Sequence, residues 1–383
     1  MNRDLRLLAA GSAVSFAGDA IALVALTLRL QPHGAGWVGA LLAAEMLPGA
    51  VLAPLSGRLV DRVETRRLLT VLMSLQALVA VPLAFARAPW LVVLLFVVLG
   101  TCAAFVAPAG ASLVPAVMGP EDAAKGYRVL STTVALGFIV GPALGGVLVG
   151  TIGSTWTVLL DAVSFALVAL SRFALTARRH PAPRAPDAVR GPNPVWSTRP
   201  LAVAVTVTGL ALTCAVVDNV AAPFRFVDEL DGSARTFGAY LTIWSVGAFL
   251  GAPLSGRVGA PVRALAVGNV LVGLGIAGIG ISPTTAVAFV AAAVGGLGNG
   301  LMNASQGAVV AGQVPEEEHG RAFATVGAVF NIGMLLGTVV GSVLVDALTA
   351  GWTMLLVGVL TVVVAFPLLL QRTGSTPPTR VPA

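Results

Sequence analysis

Residues Ala53-Pro54-Leu55-Ser56-Gly57-Arg58 return, six for six, as Ala252-Pro253-Leu254-Ser255-Gly256-Arg257, an offset of 199 positions. At the same offset Gly39, Ala40 and Leu42 match Gly238, Ala239 and Leu241, and Asp19 pairs with Asp218. A second set, Gly137, Gly141 and Gly145, is mirrored by Gly333, Gly337 and Gly341 at offset 196. A few insertions or deletions account for the drift, and chance accounts poorly for a hexapeptide plus two glycine ladders. The chain therefore reads as two related halves running in the same direction.

What the halves are made of follows from composition. Of 383 residues 57% are hydrophobic and only 10% are charged, whereas a soluble domain is about a quarter charged. A fold of this length cannot hide so much apolar surface from water, so its solvent is lipid. A soluble enzyme, a secreted disulfide scaffold and a free nucleic-acid binder are excluded. Apolar runs long enough to cross a bilayer as helices lie near 6–29, 36–57, 68–87, 90–112, 127–150, 154–173, 201–224, 236–257, 262–282, 284–311, 322–346 and 350–371. The expected fold is an all-α membrane protein of twelve transmembrane helices in two pseudo-symmetric six-helix bundles. The first run is too long for a signal-peptide core and carries Asp19 in its middle, so it reads as a span.

The halves are expected over 1–173 and 201–371. The segment 174–200 is a basic, proline-rich linker, and 372–383 is a polar, disordered tail. Basic residues gather in the linker and in alternate loops, leaving Arg29, Arg87, Arg225 and Arg235 on the other side. The positive-inside rule then puts both termini in the cytoplasm. Trp37, Trp90, Trp156 and Trp352 each open an even-numbered span, where an outer aromatic belt belongs. Cys102 and Cys214 fall inside apolar runs and read as small core residues rather than a disulfide framework.

Ionisable and amide side chains inside spans point to function, because they are expensive there. Asp19 lies mid-span with Ser12 and Ser15 on the same face. Glu45 sits near the middle of span 2, and Asp218 lies in span 7. A carboxyl group in such surroundings can hold a proton and release it when wetted, although a purely structural hydrogen bond is the alternative. Asp161 in span 6 reads as structural. Asn299, Asn303 and Gln306 form a stripe on span 10, suited to a wet cavity or to helix–helix bonding. Tyr240 and Trp244 are one turn apart on span 8, and Trp244 stands opposite Glu45 in the repeat. An acid from one half and an aromatic from the other suit a lipophilic cation, and core packing suits them equally. Asn331 in span 11 is a lesser candidate. Gly273-Leu-Gly275-Ile-Ala-Gly278 matches a dinucleotide fingerprint in letters only, since it lies in a span with no acid following at the needed distance. The three histidines, His33, His180 and His319, lie in loops or at span edges, which leaves no buried Ser–His dyad and no metal site. No cofactor is expected.

The loop after span 2 reads Gly57-Arg-Leu-Val-Asp61-Arg62-Val-Glu-Thr-Arg66-Arg67. It resembles the cytoplasmic signature of the major facilitator superfamily, although Glu64 and Thr65 stand where many members have Gly and Arg. Gly137-Phe-Ile-Val-Gly141-Pro142-Ala-Leu-Gly145-Gly146 is similar to the fifth-span motif of that superfamily's antiporters. Gly18-Asp19 and Asp161-Ala-Val-Ser-Phe resemble the macrolide-efflux-type branch of its drug exporters. The resemblance implies that Gly57, Asp61, Arg62, Arg66 and Arg67 form a conformational latch. It also implies that spans 5 and 11 use their glycine faces against the opposite half, with Pro142 kinking or loosening span 5.

The implied function is transport without enzymatic chemistry: efflux of small amphiphilic drugs or antibiotics across a bacterial inner membrane, driven by protons and carried out by a monomer with no nucleic-acid partner. The alternatives are an exporter of one endogenous metabolite, such as a siderophore or self-made antibiotic, and an uncoupled facilitator.

Overall fold

The computed structural model describes residues 3–119, 121–176, 193–315 and 318–370. Most of the expected linker and the whole of the expected tail lie outside these residues, as do the side chains of Ala53, Pro54, Gly57, Arg58, Asp61 and Gly320 within the described segments. The described residues contain no strand. The first half comprises α1 (Arg3–Leu30), α2 (Ala35–Arg62), α3 (Thr65–Phe85) and α4 (Pro89–Met118), followed by one 51-residue helical stretch, Ala123–Phe173. At 1.5 Å per residue that stretch is about 75 Å long, more than twice a hydrocarbon core. It breaks at Gly153, whose φ of 79° is accessible to glycine at little cost, and its arms 123–152 and 154–173 are α5 and α6.

A single turn, Pro194–Ser197, leads into the second half. There α7 covers Arg199–Glu229, α8 Ala234–Gly256, α9 Pro261–Ile281, α10 Thr285–Gln313, α11 His319–Ala347 and α12 Ala350–Leu370. With the long stretch divided at Gly153, eleven membrane-length helices become twelve. Proline opens α4 and α9, where a missing N–H is harmless. Short connections make consecutive helices antiparallel. Helicity continues through Pro142, and the break at Gly153 falls between the two expected spans.

Packing identifies the true repeat. Gly137, Gly141 and Gly145 lie against Ala13, Ala17, Ala20, Ile21 and Val24 of α1, while Gly333, Gly337 and Gly341 lie against Gly209, Thr213, Val216, Val217 and Val220 of α7. The partners correspond at offset 196. Both ladders thus pack within their own half, and of the fifth-span motif Pro142 and Gly146 reach across. The same offset relates two arginines at the far ends of α1 and α7. Arg29 donates to the carbonyls of Leu83 (3.0 Å) and Ala86 (3.2 Å), and Arg225 to those of Ile279 (3.2 Å) and Ser282 (2.6 Å). Each arginine satisfies the last carbonyls of a helix, α3 or α9, and places a cation at the negative end of its dipole.

Offset 199 survives only between α2 and α8, because the stretch from Arg225 to Gly238 is three residues longer than that from Arg29 to Gly39, and the stretch from Gly256 to Ile279 three shorter than that from Gly57 to Leu83. Asp19 therefore corresponds to Ala215 and not to Asp218, which corrects the pairing expected from sequence. Glu45 and Trp244 remain counterparts.

The halves meet at two crossings. A Cβ on Gly39 of α2 would strike Ser342 of α11, and one on Gly238 of α8 would strike Pro142 and Gly146 of α5. Around them, buried apolar side chains from both halves form one continuous cluster, from Val24 and Leu41 to Val217, Tyr240 and Met354. Toward the face that carries the termini the core divides. Leu8, Leu69 and Leu113 belong to one cluster, and Leu201, Leu265 and Val310 to another. Trp90, Trp156 and Trp352 are exposed at the opposite face, as a belt requires, whereas Trp37 is half-buried against the core.

Arg225 also donates to Glu229 (2.8 Å), whose carboxylate accepts the Ala350 and Gly351 N–H groups at 2.6 and 2.9 Å. Removing the arginine leaves Glu229 and two helix-end carbonyls without their cation. Arg225→Ala should therefore destabilise the protein by about 2–4 kcal/mol. In detergent this appears as a clear fall in the thermal midpoint. Lys125→Ala, at an exposed pair with Asp122, should leave the midpoint unchanged.

Candidate functional site

Two adjoining cavities lie where the halves meet. The first, of about 220 Å³, is walled by Leu23 and Thr27 of α1, Glu45 and Met46 of α2, Asn219 of α7, Phe237 of α8 and Thr338 of α11. It is the place where an acid of one half faces the side chains of the other. The second, of about 280 Å³, lies within the second half and is walled by Asp218, Asn219, Tyr240, Trp244, Asn269, Asn299 and Asn303. Val216, Asn219, Leu241 and Met334 border both, so they form a partition between neighbouring chambers. A larger groove of about 970 Å³ between α3 and α6 is lined by Leu78, Val81, Trp156, Leu160 and similar side chains. It offers no acid or amide to orient a ligand.

The first half contributes three carboxyl groups. Asp161 is buried at 2% exposure and accepts the Ser164 hydroxyl at 3.0 Å. Gly18 of α1 leaves the room both need, since a Cβ there would collide with them. Asp19, the residue after Gly18, is exposed, as is Glu45. Ser12, expected to share a polar face with Asp19, is engaged instead by Arg172. This buried arginine reaches the Ser12 hydroxyl at 3.2 Å and the Leu8 carbonyl at 3.3 Å.

In the second half the Tyr240 hydroxyl donates to Asp218. The ring is held by Phe226, stacked at 4.5 Å, and by the edge of Trp244 at 6.3 Å. Trp244 occupies space left by Gly295, where a side chain would overlap its ring. Asn303 donates to Asn299 at 2.9 Å. The amide stripe ends there: Gln306 borders only a void of about 10 Å³ beside Thr208 and Phe330 and serves packing. Asn331 is exposed on α11 and borders neither cavity.

Two polar groups on the cavity walls, Asn219 and Asn269, went unread in the sequence. Asn219 adjoins Asp218 in sequence, and Asn269 is an isolated amide in an apolar span. Of the expected latch, Arg66 donates to the Leu175 carbonyl at 2.9 Å and covers the Phe173 ring, both in its own half. Arg62 and Arg67 are exposed. Gly57 and Asp61 lie outside the described side chains.

The contacts around the cavities are one-sided. On the face away from the termini, Gln31 donates to Asp228 at 2.6 Å and the Ala35 N–H to Asp346 at 3.3 Å, both between halves. On the terminus face a Cβ at Gly49, Gly110, Gly307, Gly312 or Gly327 would meet nothing within 4 Å. Val51 and Leu55 of α2 are 64% and 51% exposed there. Among the described residues, these hydrogen bonds join the halves on the face away from the termini.

With this geometry in place, comparison with known proteins is direct. The sequence profile of the Major Facilitator Superfamily matches the chain twice, over residues 8–221 and 201–383. The chain belongs to that superfamily. It is 29% identical over 364 residues to the multidrug efflux pump Tap of Mycobacterium tuberculosis (strain ATCC 25618 / H37Rv), covering 86% of this chain and 84% of the pump. It is 25% identical over 383 residues to the enterobactin exporter EntS of Escherichia coli O1:K1 / APEC, covering 93% of this chain and 89% of the exporter. The crystal structure of the nucleoside transporter NupG superposes with a TM-score of 0.80 at 15% identity, covering 96% of this chain and 98% of NupG. The protein is a multi-pass membrane transporter and not an enzyme.

The one-sidedness of the contacts has a chemical readout. In a background lacking Cys102 and Cys214, a cysteine at Gly327 should react with a water-soluble maleimide at least about tenfold faster than one at Thr338, measured in detergent. Thr338 is 1% exposed on the wall of the first cavity.

Proposed function

We propose that this superfamily member is a proton-coupled exporter of small amphiphilic molecules, residing in a bacterial inner membrane with both termini in the cytoplasm. The observation that carries the reading is the position of Glu45, an acid of the first half on the wall of a cavity closed by the second. Rocking the six-helix halves about the Gly39 and Gly238 crossings would change what faces that acid. A carboxyl group that exchanges its proton on one side and meets cargo on the other is what coupling requires. Asp19 and Asp161 extend the acidic region within the same half, and Asp19 is the second candidate carrier. In the opposite arrangement, the loop containing Asp61 and its arginines closes the terminus face. A membrane potential adds about 2.3 kcal/mol per charge per 100 mV whenever the cycle moves net charge inward. One chain holds both halves of the site, so the reading needs only a monomer.

Export is supported by the names of the relatives, a multidrug efflux pump and an enterobactin exporter. The match to the latter extends over more of the chain and favours a second reading, a dedicated exporter of one metabolite. An uncoupled facilitator is the third.

The readings separate in everted vesicles energised by respiration, with lipophilic cations, macrolides and anionic metabolites as probes. Under the proposal, several amphiphiles dissipate the pH gradient and Glu45→Gln reduces this at least about tenfold, with Asp19→Asn also impaired. Dissipation by a single metabolite supports the dedicated exporter. Labelled substrate that moves without any change in the gradient would refute coupling.

A further inference from the structure

The second cavity has a donor–acceptor balance that selects among cations. Asp218 is only 3% exposed, and the Tyr240 hydroxyl occupies one of its oxygens, Oδ2. The other, Oδ1, is buried with no hydrogen-bond partner. A buried carboxylate oxygen left in this way carries a desolvation cost that a ligand can relieve. Tyr240 cannot swing aside to serve it, because Phe226 and Trp244 hold its ring.

The amides on the same wall are arranged to accept. Asn303 uses Nδ2 to donate to Asn299, which leaves its own Oδ1 for a ligand. Asn269, 1% exposed, uses Nδ2 on the Leu265 carbonyl at 2.8 Å and likewise keeps an acceptor oxygen. Around one anionic oxygen the cavity thus sets the amide oxygens of Asn303 and Asn269 and an indole ring, with the Asn299 amide N–H groups and the Asn219 amide as the neutral groups beside them.

We infer that this cavity, within the exporter proposed above, binds the head of a cargo carrying a primary ammonium group. Three N–H donors match the carboxylate oxygen and the amide oxygens, and charge-assisted bonds of this kind are the strong ones. A quaternary ammonium has the same charge and the same attraction to Trp244 but no donor. It would leave every acceptor unsatisfied. The apolar remainder of the ligand extends past Asn219 into the first cavity, toward Leu23 and Met46. Asp218 and the amides recognise the head group, and Glu45 remains the coupling acid.

The test is equilibrium binding to the purified full-length protein in detergent, with 4-phenylbutylammonium and its N,N,N-trimethyl analogue as probes. The primary amine should bind about tenfold or more tightly than the analogue. Asp218→Asn should reduce that preference to less than about twofold by weakening the primary amine alone. Asn303→Ala should reduce it several-fold, and it carries the test if Asp218→Asn fails to give a monodisperse protein by gel filtration. Equal or tighter binding of the trimethyl analogue overturns the inference. So does an unchanged preference in the variants, or no binding of either amine. These failures are distinguishable from failure of the export reading, because the gradient assay uses other compounds and depends on Glu45.

Discussion

Two backbone crossings, Gly39 against Ser342 and Gly146 against Gly238, decide how closely the halves approach. In lipid no hydrophobic effect drives two apolar helix faces together, so association rests on close packing and on hydrogen bonds across the seam. Small residues at these points let α2 meet α11 and α5 meet α8 almost backbone to backbone. The continuous core forms around these crossings, and both cavities lie beside them. Farther toward the terminus face no such crossing exists among the described residues, and the core separates into two. The division of the core toward the terminus face thus follows from where, among the described residues, the contacts between the halves lie along the helices.

Charge inside this apolar body divides into two kinds. Arg29, Arg225 and Glu229 are committed to helix ends, where they satisfy carbonyls and N–H groups left without a partner in the helix. They recur, in part, at equivalent positions of the two halves, as structural parts of a duplicated unit do. Glu45, Asp19, Asp161 and Asp218 do not. Their counterparts are Trp244, Ala215, Val357 and Ala22, so each half has its own set of acids. What the halves share holds them together, and what they do not share is the candidate chemistry.

Hydropathy made the helices legible because the bilayer imposes a length, and twelve apolar runs meet that requirement within a few residues at each end. The duplication was equally plain, but its register was not. The matched hexapeptide belongs to α2 and α8, and extending its offset to α1 and α7 paired Asp19 with Asp218. The offset of 196 was readable in the glycine ladders, but that it also governs α1 and α7 became visible only through packing, where both ladders' partners and both arginines obey it. Asp161 reads as structural in sequence and bonds Ser164 in the structure, but that it packs against Gly18 of another helix was not legible. Gln306 shares a stripe with Asn299, yet seven residues carry it about 10 Å along the axis, beyond the end of the cavity. Angular position was readable, depth was not.

The placement of the acids bears on which of them can couple. Asp161 is surrounded by its own half, with Ser164 and Gly18 beside it, and a rigid-body rocking of the halves leaves those neighbours unchanged. Asp218 is similarly enclosed, held by Tyr240 from the same half. Glu45 differs because Asn219, Phe237 and Thr338, which complete its cavity, all belong to the other half. A ligand or proton shifts an equilibrium only by its differential affinity for the two states. The group whose surroundings are exchanged between states has the most differential free energy to contribute. That argument makes the acid on the seam the proposed coupling residue, with the enclosed acids proposed to tune it or to hold cargo.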